Sequence, residues 1–350
     1  MNDLHFGFVV GINRYPGISD LQGPVRDAEA FRGWLLDPAG GGLPEQNVTF
    51  VEPLPDGAVV QVGDARPTRS DLVSALFDTN DRLGTAIGDD PDNHARSRLY
   101  LFMAGHGIAP SGGDAALLPA NARRGLFGEN LEVAKCRNWY TECGVVAELV
   151  IFCDFCRNRI NLAESGPLGF TRCASAKGKV ETFTGYATAY DRPAYEQVEE
   201  EVPADRRRGF FSRALIEGLN GAGAGDGDVT SATVEAYVRQ RVRDLTAGLT
   251  PQQEARFPQD LGAPLRFGSA RPAVPWRTVV LDLSRMRGPV RLLDHRHRPV
   301  GEWAPGLPEQ WVVSLPDGLY AVVHKDTGRG DDLPDEGLFK VIGEGRHVRL

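Results

Sequence analysis

The sequence predicts an α/β protein whose mostly parallel sheet is flanked by helices, followed by a small all-β domain. Three observations carry this expectation. Short apolar runs alternate with helical-period segments through the first 268 residues; the composition turns to Gly, Ala and Pro across 268–275; and beyond that point strand-like runs are separated by turn residues alone.

Taken in order, residues 6–12 (FGFVVGI) are a buried strand, and 21–36 place Val25, Ala28, Phe31 and Leu35 at helical spacing. Residues 48–51 form a second strand. Residues 68–83 open with Thr68 and Asp71, the start signal of a capped helix. Residues 98–104 (RLYLFMA) and 148–154 (ELVIFCD) are a third and a fourth strand, and 209–219 and 230–245 are later helices, the last capped by Thr230. Runs that are apolar throughout fit strands covered on both faces, as in a parallel sheet. This gives a first domain over 1–268. After the linker, strands at 278–283, 290–293, 310–315 and 318–324, with a Pro316-Asp317-Gly318 turn, build an accessory domain over 275–350.

The bulk properties narrow the function. Apolar residues make up 41%, enough for a core, and 39 basic against 47 acidic residues leave a net charge of −8. Such a chain is poorly suited to nucleic acid, which selects basic surfaces. No run approaches the roughly 18 apolar residues of a membrane span, and the N-terminus lacks the basic-then-apolar order of a secretory leader. Five cysteines in a chain of this kind are expected as reduced thiols in a cytoplasm, the state a catalytic cysteine requires.

Two constellations carry chemistry, each directly after a strand. In Gly105-His106-Gly107, two glycines let the backbone turn sharply and hold an imidazole at the mouth of the sheet. Alone, such a histidine is an ordinary turn residue. In Asp154-Phe155-Cys156-Arg157-Asn158, a cysteine stands just past a strand end, where a neighbouring imidazole can take its proton. Cys153, inside the apolar run, reads instead as core packing. In a parallel sheet, functional groups gather at the carboxyl ends of strands, and both residues lie there.

The ordered motifs Val10-Gly11-Ile12-Asn13-Arg14-Tyr15-Pro16, Leu101-Phe102-Met103-Ala104-Gly105-His106-Gly107, Ile151-Phe152-Cys153-Asp154-Phe155-Cys156-Arg157, Ala187-Thr188-Ala189-Tyr190, Ala194-Tyr195-Glu196 and Gly209-Phe210-Phe211-Ser212 make the chain resemble a caspase-like cysteine peptidase of the bacterial or metacaspase-like branch. His106 precedes Cys156 by about 50 residues, the separation of that family. The resemblance covers roughly residues 5–268. It implies Cys156 as nucleophile, His106 as proton shuttle, the N–H groups of Cys156 and Gly107 as oxyanion hole, and Ala189 in the substrate-binding wall. Asp154, where animal caspases carry Gln, and Asp27 match acidic pocket positions of metacaspase-like relatives. Two carboxylates there favour Arg or Lys at the cleaved position. The plainer reading gives Asp154 a turn to cap and Asp27 a helix face.

A protein or peptide is therefore the expected partner, with no role for membrane or nucleic acid, and with an activating or recruiting protein kept open. The charged stretches 162–180 and 196–209, the latter holding Arg206, Arg207 and Arg208, are candidate self-cleavage loops as well as ordinary solvated ones. No cofactor is expected. Calcium stays open on the tract Asp89-Asp90-Pro91-Asp92, which also reads as a solvated loop. Two rival readings are a metal or redox role for the C-x-x-C of Cys153 and Cys156, which lacks a second ligand pair, and a catalytically silent scaffold. In the accessory domain, His295 and His297 alternate with Arg296 and Arg298, the pattern of a solvated hairpin face.

Overall fold

The first apolar run becomes β1 (His5–Gly11), whose six buried residues are covered on both sides. The computed structural model describes residues 2–51, 60–110, 114–160, 163–170, 178–196, 208–224, 227–269, 276–286, 288–294, 299–316, 318–324, 338–341 and 346–349. After β1 come α1 (Pro24–Leu36), β2 (Val48–Val51), α2 (Arg69–Ile87), α3 (Pro91–Ala95), β3 (Arg98–Ala104), β4 (Gly107–Ala109), β5 (Ala116–Leu117), β6 (Leu131–Glu132), α4 (Val133–Cys143), β7 (Glu148–Asp154), β8 (Asn158–Arg159), β9 (Glu181–Tyr186), α5 (Phe210–Leu219), β10 (Asp228–Thr230), α6 (Ser231–Leu245), β11 (Gln259–Asp260) and β12 (Arg266–Ser269).

The main sheet has the order β11-β9-β7-β3-β1-β2. Its neighbours pair in parallel except for the short edge strand β11. Alternation along each strand builds two cores. Phe8 and Val10 of β1, Leu99, Leu101 and Met103 of β3, and Ile151 and Cys153 of β7 face Leu72, Leu76 and Leu83 of α2 and Tyr140 of α4. The intervening residues Val9, Tyr100, Phe102, Val150 and Phe152 face Ala28, Phe31 and Leu35 of α1, Phe211 and Leu215 of α5, and Val234 and Val238 of α6. Helices thus cover both faces, as the continuous apolar runs require. Both expected caps form: Thr68 and Asp71 exchange hydrogen bonds as a capping box, and Thr230 does the same with Thr233.

The reversal of strand order at β1/β3 puts a crevice at the carboxyl ends of the central strands. Beyond the ends of β3 and β7 the chain forms a second sheet, β6-β5-β4-β8, of strands two or three residues long. No sequence period announces it. It joins the chain just after β3 to the chain just after β7, pairing Ile108 with Asn158 and Ala109 with Arg159 in parallel.

The expectation of uniformly reduced cysteines needs correction. Cys136, Cys153 and Cys156 are free, but Cys143, the last residue of α4, is disulfide-bonded.

The chain divides into two compact units, Met1–Ala270 and Arg271–Leu350. The second contains β13 (Trp276–Asp282), β14 (Val290–Asp294), β15 (Pro299–Trp303), β16 (Gln310–Pro316), β17 (Gly318–His324), β18 (Leu338–Val341) and β19 (Arg346–Arg349), arranged as sheets β16-β13-β19 and β15-β14-β17-β18. Val279, Leu281, Val290, Leu292, Tyr320, Val322 and Phe339 make its own core. Three strands of this unit, β15, β18 and β19, go beyond the four that the sequence marks. Residues 295–298, with the alternating histidines and arginines, lie outside the described residues.

Candidate active site

Register alone brings His106 and Cys156 to one level. Ala104 of β3 pairs with Asp154 of β7, so each functional residue stands two positions beyond a paired strand end. Both line one cleft, together with Asp27, Asp154, Phe155, Ala194, Tyr195 and Glu196.

The glycines around His106 are fixed by what surrounds them. Gly105 has φ +157, and a Cβ there would run into the Tyr15 hydroxyl; a Cβ on Gly107 would run into the Phe155 ring and lie 2.8 Å from Cys156 O. The histidine turn is therefore seated directly against the Cys156 turn, at a distance only glycine permits. Buried Tyr15 braces it: its hydroxyl accepts the His106 N–H at 2.9 Å and donates to Leu118 O at 3.1 Å. The two rings meet edge to face, with centroids 4.7 Å apart.

The imidazole's tautomer follows from its partners. His106 Nε2 lies 2.8 Å from Ser19 O and 3.4 Å from Ser19 Oγ. A carbonyl only accepts, so Nε2 carries the proton and Nδ1 is left as an acceptor. Burial lowers the His106 pKa, against the pull of the Ser19 carbonyl and of Glu196 and Asp20, which favours a neutral ring.

Cys156 is half-buried. Its Sγ accepts the Ala194 N–H at 3.3 Å and lies 3.5 Å from Ala194 O. Burial pushes its thiol up; the Ala194 N–H opposes that and the Asp154 carboxylate adds to it. Among the described residues no hydrogen bond joins Sγ to the imidazole. Arg157 anchors the turn from below. Its N–H donates to Arg192 O at 3.0 Å, its Nη1 to Thr188 O at 3.2 Å, and its guanidinium sits 4.2 Å from the Tyr186 ring centroid.

The Gly107–Leu117 pair is of the non-hydrogen-bonded kind, with Leu118 N donating to His106 O across it at 2.9 Å. The Gly107 N–H therefore turns away from β5, toward the side where β8 and the Cys156 turn lie.

Asp27 and Asp154 do meet. Both are buried; the Asp154 charge bears on Asp27, and a Cβ on Gly209 would run into Asp154 Oδ2 and lie 3.1 Å from Asp27 Oδ2. Asp27 accepts from Arg208 Nε (2.8 Å) and Gly209 N (2.8 Å), while Asp154 Oδ2 accepts from Ser212 N (3.0 Å) and Ser212 Oγ (2.5 Å). Burial first, then the Asp154 charge, drives Asp27 up to about 8 despite Arg208 and Gly209. Burial drives Asp154 up to about 6 despite Ser212.

Ala189, expected in the substrate wall, is half-buried beyond the end of β9 and does not line the cleft. That wall is built by Ala194, Tyr195 and Glu196. Glu196 Oε2 accepts from Gln22 N (3.1 Å) and Gly23 N (2.6 Å), tying the wall to the start of α1. Buried Gln253 holds the wall from behind, donating to Ala187 O (2.9 Å) and accepting from Tyr195 N (2.9 Å). Sequence reading gave no role to Tyr15, Ser19, Glu196 or Gln253. Tyr15 and Glu196 fall inside the quoted motifs, whereas Ser19 and Gln253 carry no local signal.

The rival features also have definite places. Cys153 is 1% exposed within the core and Cys156 opens to the cleft, so the C-x-x-C pair is split between two environments. Among the described residues no group of three or more His, Cys, Asp or Glu could hold a metal ion. Asp90 caps α3, accepting from Asp92 N and Asn93 N. No helix among the described residues is long and apolar enough to cross a membrane. Arg206 and Arg207 lie outside the described residues.

No family model matches the chain. Among curated proteins, a probable protease of a Desulfuromonadales bacterium is 25% identical over 230 residues, covering 63% of this chain and 26% of that protein. The chain therefore spans about a quarter of that relative's length. Among solved structures, caspase-1 from Spodoptera frugiperda is similar over 77% of this chain and 92% of that one, at 12% identity and a TM-score of 0.48.

Proposed function

We propose that the chain is a cysteine endopeptidase that cleaves proteins or peptides after Arg or Lys. One observation carries the reading: Cys156 and His106 stand at the same level beyond paired strands, in a cleft whose floor holds two buried carboxylates. A basic side chain of the substrate enters toward Asp27 and Asp154. Binding moves Cys156 Sγ off the Ala194 backbone and toward Nδ1 of His106, which takes the thiol proton. Sγ attacks the scissile carbonyl, and the oxyanion is held by the N–H groups of Gly107 and Cys156. Loss of one such donor typically costs about 2.7–4 kcal/mol of transition-state stabilisation. His106 then returns the proton to the leaving amine, and a water deprotonated by the same imidazole hydrolyses the thioester. The Ser19 carbonyl keeps Nε2 protonated, which leaves Nδ1 as the ring nitrogen able to accept the thiol proton.

The test is a panel of fluorogenic peptides ending in Arg, Lys or Asp. Hydrolysis after Arg and Lys that is abolished by Cys156→Ala and by His106→Ala is the expected result. Cleavage after Asp alone refutes the specificity, and Cys156-independent turnover refutes the nucleophile. The same reading extends to self-cleavage in 162–180 or 196–209, seen as a mass change in the active chain and not in Cys156→Ala.

A further inference from the structure

One of the two carboxylates that line the cleft, Asp27, already holds a guanidinium. Arg208 Nε and the next backbone N–H, Gly209 N, each meet one oxygen of Asp27 at 2.8 Å, so a single residue boundary engages both lone-pair edges of that carboxylate. The chain then threads between the two acids, since any side chain at 209 would strike Asp154. Arg208 also acts on Asp154 electrostatically. Its Nη2 is buried and, among the described residues, has no hydrogen-bond partner. The guanidinium is thus held on Asp27 with part of its fork unused.

A buried carboxylate needs a partner, because removing its only cation leaves an uncompensated charge in a low-dielectric site. Asp27 is 1% exposed, so a pocket built to receive a substrate cation would be costly to keep empty. The residue supplying the charge is of the same chemical class as the side chain the pocket is proposed to select.

We infer that Arg208 is the resident ligand of the Asp27/Asp154 pocket and a specificity-determining residue, because a substrate's basic side chain must take its place at Asp27. This rests on the basic-pocket reading above. Substrate binding is then an exchange of one cation for another, and apparent affinity falls by the fraction of chains in which Arg208 has moved aside. A lysine offers a point charge where Arg208 offers a planar fork, so the exchange favours incoming arginine over lysine.

Binding is measured in the Cys156→Ala chain, where no turnover intervenes. Benzamidine, a planar amidinium, is titrated calorimetrically into Cys156→Ala and into the same chain carrying Arg208→Ala. The expected result is a gain of about ten-fold or more in affinity without Arg208. Arg208→Gln, which keeps a donor for Asp27, serves where the alanine chain melts early, and it too should bind benzamidine more tightly than its parent. Unchanged or weaker binding in both variants overturns the inference and leaves the Arg208–Asp27 pair as a fixed brace. Absence of benzamidine binding in every chain also overturns it. The peptidase reading is judged separately by the peptide panel, which depends on Cys156 and needs no benzamidine site.

Discussion

The Ala194 N–H donates to Cys156 Sγ at 3.3 Å, while the sulfur and the His106 imidazole share a cleft without a hydrogen bond between them. The resting thiol is parked against the backbone of the cleft wall. Burial pushes its pKa up, and burial lowers that of His106, so both groups are neutral near neutrality. A thiolate–imidazolium pair would need the opposite shifts. Alkylation of Cys156 by iodoacetamide in the ligand-free chain should therefore climb steadily as pH rises past neutrality. A rate that is already high and flat in the acid range would reveal a preformed ion pair and refute this.

The Tyr15 hydroxyl should matter well beyond its own contacts. It accepts from His106 N and donates to Leu118 O, and both the hydroxyl's own residue and Leu118 are buried. Tyr15→Phe leaves that donor and that acceptor unpaired, at a cost of about 1–3 kcal/mol in stability. Because the donor is the catalytic candidate's own backbone, kcat should fall more than KM changes. Denaturant unfolding and steady-state kinetics on the same preparation check both; wild-type values for both would show the hydroxyl to be dispensable.

Gly107→Ala should remove activity with little loss of fold. The added Cβ meets the Phe155 ring and Cys156 O, so the nucleophile turn must move away from the histidine turn. Shortening Phe155 to Leu in the same chain relieves the ring contact and leaves the one with the Cys156 carbonyl. The double variant should therefore stay inactive while its circular dichroism spectrum remains that of the folded chain and its melting temperature falls only as far as that of Phe155→Leu alone, or a little further. Recovery of activity would place the obstruction in the ring alone.

The parts of the molecule that sequence discloses are those with a period or a cap. β1, β3 and β7 are continuous apolar runs because both faces are covered, and α2 and α6 announce themselves through Thr68 and Thr230. The positions of His106 and Cys156 follow from the same strands. The small sheet β6-β5-β4-β8 is different: strands of two or three residues have no room for a pattern, yet this sheet binds the two functional turns together. Helix α4 is hidden because polar residues such as Lys135, Arg137, Asn138 and Glu142 interrupt its buried stripe of Val133, Cys136, Tyr140 and Cys143. Gln253 is invisible for another reason. Its role depends on Ala187 and Tyr195, which lie 66 and 58 residues away and approach it only in the folded chain. Ala189 sits inside a motif but beyond the wall that the neighbouring segment 194–196 forms.

Asp27 and Asp154 set a pH dependence with a definite sign. Burial, joined at Asp27 by repulsion from Asp154, raises their pKa values to about 8 and about 6 in the folded chain. An unfolded Asp titrates near 4. Between those limits the folded state binds more protons than the unfolded one, so these groups make stability fall as pH rises from about 4 to about 8. Ionisation of the same carboxyls is what a cationic ligand requires. Affinity for benzamidine should accordingly rise across the upper part of that window while the melting temperature declines. The two trends are measured on Cys156→Ala, with Asp154→Asn in the same background as the comparison. Replacing Asp154 removes one titrating group and its repulsion on Asp27, so the decline in melting temperature should become shallower. A slope identical in both chains would show that these carboxyls do not titrate in that window.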